Sequence, residues 1–220
     1  MAIKNDREYR NFRAFDIERR SEGEGDEPSF FVEGYASTFE EYTLFDFPDE
    51  EWRERIEPTA FDEADMSDVV FLRDHEGRVM ARTKNGTIDL KVDENGLFSK
   101  TDLSKTAAAR DMYDDIEAGN YQQMSFAFTV EDDHFEDTME NGKKVLTRVI
   151  DRIKKVYDIS AVAFPANPTT DIGISARSIF DGEIERLRAE RLEEQRAKTE
   201  KDRERLKLKL KLMEVSEHDS

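Results

Sequence analysis

The sequence predicts a β-rich α+β protein: a mostly antiparallel, barrel-like sheet with packed helices, followed by a charged helical tail. Three observations carry this prediction. The apolar runs are short, rich in aromatic and β-branched residues, and separated by turn signals at hairpin spacing instead of by regular βαβ units. One internal stretch, Ala107–Glu117, has a helical apolar stripe with a capping residue before it and a glycine after it. Composition then changes at Glu183, beyond which charged residues dominate. The chain is expected to divide into a β-rich domain over residues 1–178 and a solvated tail over residues 179–220.

Taken in order, residues 7–17 mix charges with Tyr9, Phe12, Phe15 and Ile17, a pattern compatible with an edge strand. Residues 21–28 are loop by composition. Residues 30–39, Phe-Phe-Val-Glu-Gly-Tyr-Ala-Ser-Thr-Phe, form an aromatic-rich strand in which Gly34 suggests a bulge or a close backbone approach. An acidic, aromatic loop through Phe45, Phe47, Pro48 and Trp52 leads to a short extended piece at residues 55–61 and a weak helix. Val69-Val70-Phe71-Leu72 is a buried-strand run ending on Arg73-Asp74-His75-Glu76-Gly77. Residues 88–92 alternate strictly. Asp93-Glu94-Asn95-Gly96 is a hairpin turn through its Asn-Gly, and the return strand runs to Leu103.

Ser104 or Thr106 caps the helix at Ala107–Glu117, Ala108, Met112 and Ile116 line one face, and Gly119 ends it. The next strand runs from the Gly119-Asn120 turn through Ser125 to Val130. Residues 131–142 read as an acidic loop. A long strand follows from Val145 to Phe164 and ends on Pro165-Ala166-Asn167-Pro168. In the tail, pairs such as Glu194 with Lys198 support an exposed helix. Its apolar stripe is too thin for a coiled coil, and the alternating Leu-Lys run at residues 206–212 ends it.

Composition narrows the chemistry. The 220 residues include 34 basic and 52 acidic side chains, a formal net charge of −18. Such a chain repels phosphate backbones, so nucleic acid is not expected as a partner. It has no cysteine, which removes disulfides, thiol catalysis and cysteine-ligated zinc. No apolar run has membrane-spanning length and the first residues carry no signal-peptide core, so a soluble protein that stays in the cell that makes it is expected.

Covalent catalysis would then fall to Ser, Thr or Lys, and a serine needs a base beside it. Of the three histidines, His218 lies at the C-terminus, and His134 sits among seven residues rich in Asp and Glu, where a solvated loop is the plainer reading than a cation site. His75 follows a buried-strand run, where side chains emerge. Ser125 stands early in an otherwise apolar strand, in the frame Gln123-Met124-Ser125-Phe126-Ala127, which is not the Gly-x-Ser-x-Gly elbow of α/β-hydrolases. Asp158 is the one carboxylate in the run Val156 to Phe164. On periodicity alone each has a bland alternative: a hydrogen-bonded histidine, a packed strand serine, a solvent-facing aspartate. A glycosidase-like carboxylate pair is open in so acidic a chain, though none stands out.

Considered together and in order, these segments resemble the prohead proteases of tailed bacteriophages, capsid-maturation serine proteases whose fold is like that of herpesvirus assemblin. The resemblance spans about residues 12–170. Val32-Glu33-Gly34-Tyr35-Ala36 is similar to the family's early Gly-Tyr-Ala strand, and Arg55 to Phe61 to its Glu-x-Ile-x-Pro-Gly-Ala-Phe segment, with Thr59 where Gly is usual. Phe71 to His75 followed by Gly77-Arg78 resembles the strand presenting the catalytic His. Asp93 to Leu97 is similar to the hairpin Asp-x-x-Gly-Leu, and Met124-Ser125-Phe126-Ala127-Phe128 to the Met-Ser-Phe-Gly-Phe nucleophile motif, with Ala127 for Gly. Residues 157–168 resemble the closing Glu-Val-Ser-x-Val-x-x-Pro-Ala-Asn-Pro strand and loop, with Asp158 where Glu is more frequent.

The resemblance implies a serine endopeptidase with Ser125 as nucleophile, His75 as base and Asp158 as the acid that orients it. It implies no cofactor and no metal. It implies substrates: the major capsid protein with its scaffold segment, or a separate scaffolding protein, and the chain itself. A homo-oligomer is compatible; nucleic acid and membrane are not implied. The setting would be the assembling procapsid in the host bacterial cytoplasm. Oxyanion donors are expected in the loop at residues 165–167, and the tail is a candidate scaffold-contacting or self-cleaved segment. The rival from another class is a non-enzymatic capsid scaffold or assembly module with the same fold.

Overall fold

Hairpins with asparagine or aspartate turns build most of the molecule. The computed structural model describes residues 7–11, 18–19, 30–163 and, within 179–203, all but 188, 191, 194–195, 199 and 202. The sequence readings at residues 12–17, 21–28, 165–168 and 206–212, at His218 and at Glu194 lie outside these. The chain divides into two compact units, residues 1–176 and 177–220.

In the first unit the strands are β1 (Glu8–Asn11), β2 (Glu18–Arg19), β3 (Phe31–Thr38), β4 (Tyr42–Asp46), β5 (Glu50–Ile56), β6 (Val70–Arg73), β7 (Glu76–Arg82), β8 (Ile88–Val92), β9 (Gly96–Asp102), β10 (Gln123–Glu140) and β11 (Lys143–Val162). One sheet runs β2-β3-β9-β8. The other runs β1-β10-β11-β5-β4, with β6 also on β11 and β7 on β6. The strands therefore form two sheets and do not close into a barrel. They are mostly antiparallel, with two exceptions. β11 takes β5 alongside its first half (Lys144↔Glu50 to Ile150↔Ile56) and β6 alongside its second (Asp158↔Val70 to Ala161↔Arg73), both in parallel. These pairings join residues about a hundred positions apart, which hairpin signals cannot reveal.

The longest hairpin corrects another expectation. The acidic stretch at residues 131–142 is strand, not loop: β10 continues to Glu140, and the turn is Asn141-Gly142, both at positive φ. That Asn-Gly is itself a hairpin signal. Likewise, Phe45 and Trp52 lie on the paired strands β4 and β5 instead of in a loop. The bulge expected at Gly34 lies at Ala36, between the pairs Tyr35↔Phe98 and Ser37↔Leu97. Asp93-Glu94-Asn95-Gly96 is the expected turn between β8 and β9, flanked by the pair Val92↔Leu97. Asp93 closes it by accepting from the Asn95 N–H at 2.8 Å, and Gly96 sits at φ 153° where a Cβ would fall 2.1 Å from the Ser37 carbonyl oxygen. No other residue fits there.

The helix α1 (Ala107–Glu117) has the predicted bounds. Thr106 Oγ1 accepts from the Ala109 N–H at 3.1 Å. At the other end Gly119 (φ 79°) bonds back to Ile116 and Asn120 to Asp115, the paired bonds of a Schellman end. Ala109, Met112, Tyr113 and Ile116 are its buried face. They join a core drawn from both sheets, including Val32, Ala36, Ile88 and Leu97 on one side and Phe71, Phe126, Phe128 and Ile159 on the other. Each fully buried Phe contributes about 1.5–3 kcal/mol, so this core fixes the inward face of β10 and, by alternation, which residues of β10 point outward.

In the second unit the described residues from 179 to 203 are helical. Arg186 pairs there with Glu183 and Glu190, one turn to either side.

Candidate active site

The outward face of the β10–β11 ladder carries a row of small and polar residues. Ser125 lies opposite Ser160 and Ala127 opposite Asp158. Cross-strand partners share a face, and residues two apart on one strand share it too. Ser125, Asp158 and Ser160 therefore project together, while Phe126 and Ile159 point into the core.

His75 reaches this face from β6, which pairs with the same end of β11. It does not stand on the strand itself. Arg73 pairs with Glu76, and Asp74 and His75 form the two-residue turn between them, with φ of 50° and 61°. Positive φ at both central residues is what such a tight hairpin turn requires. A non-glycine residue held there costs of order 1 kcal/mol or more, so the surroundings must fix it. Asp74 does much of that. Its N–H donates to the Ala161 carbonyl at 3.0 Å, and its carboxylate accepts from the Ala163 N–H at 3.2 Å and the Tyr121 hydroxyl at 3.1 Å.

The structure brings the three sequence-predicted residues together. His75 Nε2 lies 2.6 Å from Ser125 Oγ, and His75 Nδ1 lies 2.6 Å from Asp158 Oδ1. All three are enclosed: the side chains of His75 and Asp158 are 11% and 4% exposed, and Ser125 is fully buried. A buried carboxylate needs partners, and Asp158 has two, since Ser160 Oγ donates to the same Oδ1 at 2.9 Å. An imidazole so placed keeps its Nδ1 proton toward the carboxylate and offers the Nε2 lone pair to the serine hydroxyl. The shorter Asp at position 158 still reaches the ring.

Sequence reasoning missed two participants. Ser160 is one; its signal was the two-residue spacing from Asp158 on a strand. The other is the placement of β1: an edge strand was expected in this part of the chain, but not that it lies along β10 with Asn11 opposite Ser125. The Arg10 carbonyl oxygen accepts from Ser125 Oγ at 2.8 Å, and the Tyr9 ring meets the His75 ring edge-on, 4.7 Å between centroids. Beneath β1 lies a buried ionic cluster. Arg10 grips both oxygens of Glu54, which is itself fully buried, and Arg148 bridges Glu8, Glu54 and Asp133. Burial works against its charge, yet Glu54 and Glu8 hold the Arg10 guanidinium well above its ordinary range.

His134 is apart from this site. It sits on β10 with Nδ1 2.6 Å from Asp151, half exposed. Among the described residues no group of three His, Cys, Asp or Glu side chains is arranged to hold a metal ion, and no helix is long and apolar enough to cross a membrane. The loop at residues 165–167, where oxyanion donors are expected, lies outside the described residues. A pocket of about 240 Å³ flanks the His75 turn between Arg73, Gly77 and Met112 but does not include Ser125.

A sequence model of the family described as caudovirus prohead serine protease matches residues 15–183 of the chain. The match contains His75, Ser125, Asp158 and Ser160 and begins after β1. No curated protein and no solved structure matches.

Proposed function

The chain belongs to the caudovirus prohead serine protease family, and on that premise we propose that it is the endopeptidase of procapsid maturation, with Ser125, His75 and Asp158 as its catalytic residues. It cuts the scaffolding protein, or the scaffold segment of the major capsid protein, and then itself, inside the assembling procapsid in the host bacterial cytoplasm. Residues 1–178 are its protease domain, with an assemblin-like fold. Residues 179–220 are a tail that contacts scaffold or is removed by self-cleavage.

The observation that carries this reading is one imidazole bridging a serine hydroxyl and a carboxylate at 2.6 Å each. His75 Nε2 takes the Ser125 proton as Oγ attacks the scissile carbonyl carbon. The C–N bond breaks as His75 passes that proton to the leaving amine. Water then opens the acyl-enzyme by the same route. Asp158 holds the ring in the required tautomer and stabilises the imidazolium, and Ser160 holds Asp158.

The test is co-expression of wild type or Ser125→Ala with the cognate capsid and scaffold proteins, read by intact mass. Wild type should trim its partners and itself, and Ser125→Ala should leave every chain full length. Intact chains in both cultures would favour the non-enzymatic assembly module. Cleavage by Ser125→Ala would move the nucleophile elsewhere.

A further inference from the structure

We propose that β1 is an internal blocking strand: it fills the edge of β10 on which an extended peptide substrate pairs, and the subsite it fills takes an arginine through Glu54. This rests on the reading of Ser125 as the nucleophile of an endopeptidase.

Position is the first argument. Among the described residues, β1 is the outermost strand of its sheet and pairs only with β10, from Glu8↔Phe128 to Asn11↔Ser125. Without it, the nucleophile-bearing part of β10 becomes a sheet edge whose N–H and C=O groups are a template for an extended peptide. A substrate strand that brings a carbonyl to Ser125 by such pairing needs the place β1 now holds.

Contact is the second. Ser125 has one hydroxyl proton and two acceptors, His75 Nε2 at 2.6 Å and the Arg10 carbonyl oxygen at 2.8 Å. A proton donated to Arg10 is not available to the base. It is the oxygen of Arg10 that faces Oγ, a hydrogen bond in place of attack on carbon, so β1 blocks without being cut where it lies. Tyr9 lies against the imidazole at the same time. Together these leave Ser125 fully buried.

Charge is the third. The cluster beneath β1 contains Glu8, Glu54 and Asp133 against Arg10 and Arg148. Departure of β1 removes one charge of each sign and leaves Glu54 and Asp133 against Arg148, with Glu54 deprived of its two-pronged partner. A buried carboxylate in that state draws in a cation, and the fork formerly supplied by Arg10 Nε and Nη2 matches arginine better than lysine. Arg10 is the residue whose carbonyl faces Ser125. The substrate residue that replaces it is therefore the one just before the scissile bond. Exchange of one arginine for another also leaves no buried charge unpaired at either end of the exchange.

Two measurements on the full chain test this. In the first, a fluorophosphonate probe, whose phosphorus bonds to Ser125 Oγ as fluoride leaves, is followed by intact mass. Arg10→Ala should label at least about tenfold faster than wild type, because truncating one member of a buried ion pair loosens its strand. In the second, wild type is given peptides of one backbone with Arg, Lys, Ala or Glu before the scissile bond. The Arg peptide should show a kcat/KM at least about tenfold above the others. Equal labelling of wild type and Arg10→Ala, or cleavage indifferent to that residue, overturns the proposal while leaving the protease reading intact. A folded chain that neither labels nor cleaves in any form overturns both.

Discussion

The hairpin of β10 and β11 passes through two environments, and its charges are used differently in each. At the root, beside Ser125 to Phe128, polar groups are few and enclosed. His75, Asp158 and Ser160 form one chain of hydrogen bonds, and Glu8, Arg10, Glu54 and Arg148 form one ionic cluster. At the tip, on the arm from Asp132 to Glu140 and apart from Asp133 and the Arg148 it meets in that cluster, charges are many and at least partly open to water: Arg53 with Glu140, Arg55 with Glu136, Arg152 with Asp132, His134 with Asp151. Distances are similar at both ends. What differs is the solvent each group has given up. A buried group that loses its partner cannot recover water, whereas an exposed one can. The root should therefore respond sharply to single substitutions and the tip weakly.

The sharpest response is expected at Asp158. Asp158→Asn keeps shape and burial but presents the wrong partner to His75 Nδ1, so the imidazole no longer settles in the tautomer that accepts from Ser125. We expect kcat to fall by about four orders of magnitude with the fold unchanged. Single-turnover cleavage beside a thermal melt checks this. A loss below tenfold with normal folding would remove Asp158 from the site and break the contrast at its strongest point.

Next comes Glu54, which tests stability instead of rate. Glu54→Ala leaves Arg10 and Arg148 buried with Glu8 as the one carboxylate they share instead of two, and a loss of about 3–5 kcal/mol is expected. Urea unfolding measures it; a change under about 1 kcal/mol would mean that burial at the root does not matter as argued. The same cluster carries a pH signature. Burial works against the Glu8 carboxylate, but Arg10 and Arg148 more than offset it, and its folded pKa is lowered. Its contribution is present above the unfolded carboxylate value and is lost as pH falls through the lower, folded one.

How much of this was legible in the sequence follows the same division. Local signals were read well. Thr106, the stripe through Met112 and Ile116, and Gly119 gave α1 its ends, because caps and periodicity are properties of neighbouring residues. Residues 88–92 gave β8 by alternation. For the candidate site, the residue types available in a chain without cysteine, with the ordered family resemblance, pointed to the three side chains the fold brings together. Long-range facts were not legible. Nothing near Lys144 or Asp158 announces parallel partners at Glu50 and Val70. The acidic arm of β10 read as loop because Asp and Glu are poor strand formers. Their strand is sustained by basic partners on β5 and β11, which only the fold brings near. β1 was legible as an edge strand, but its place beside the site was hidden for the same reason. Its value lies in what Arg10 meets, and Glu54 and Phe126 are distant in sequence.

The smallest effect is expected at the tip, and it sharpens the comparison because its geometry rivals that of the site. His134 Nδ1 is 2.6 Å from Asp151, the same separation as His75 from Asp158. The hydrogen bond to the Asp151 carboxylate raises the His134 pKa above its ordinary value. A raised histidine pKa stabilises the fold below the unfolded value, and that stability disappears as pH rises through the folded one. With half of His134 in water, screening reduces the gain to about 0.5 kcal/mol or less. An NMR titration should place the His134 pKa above that of an unperturbed histidine, Asp151→Asn should bring it back, and unfolding free energies of the two chains at pH 5.5 should agree within that figure. A cost above about 1 kcal/mol would show that distance, not desolvation, governs the worth of these pairs, and the division of the hairpin into root and tip would fail.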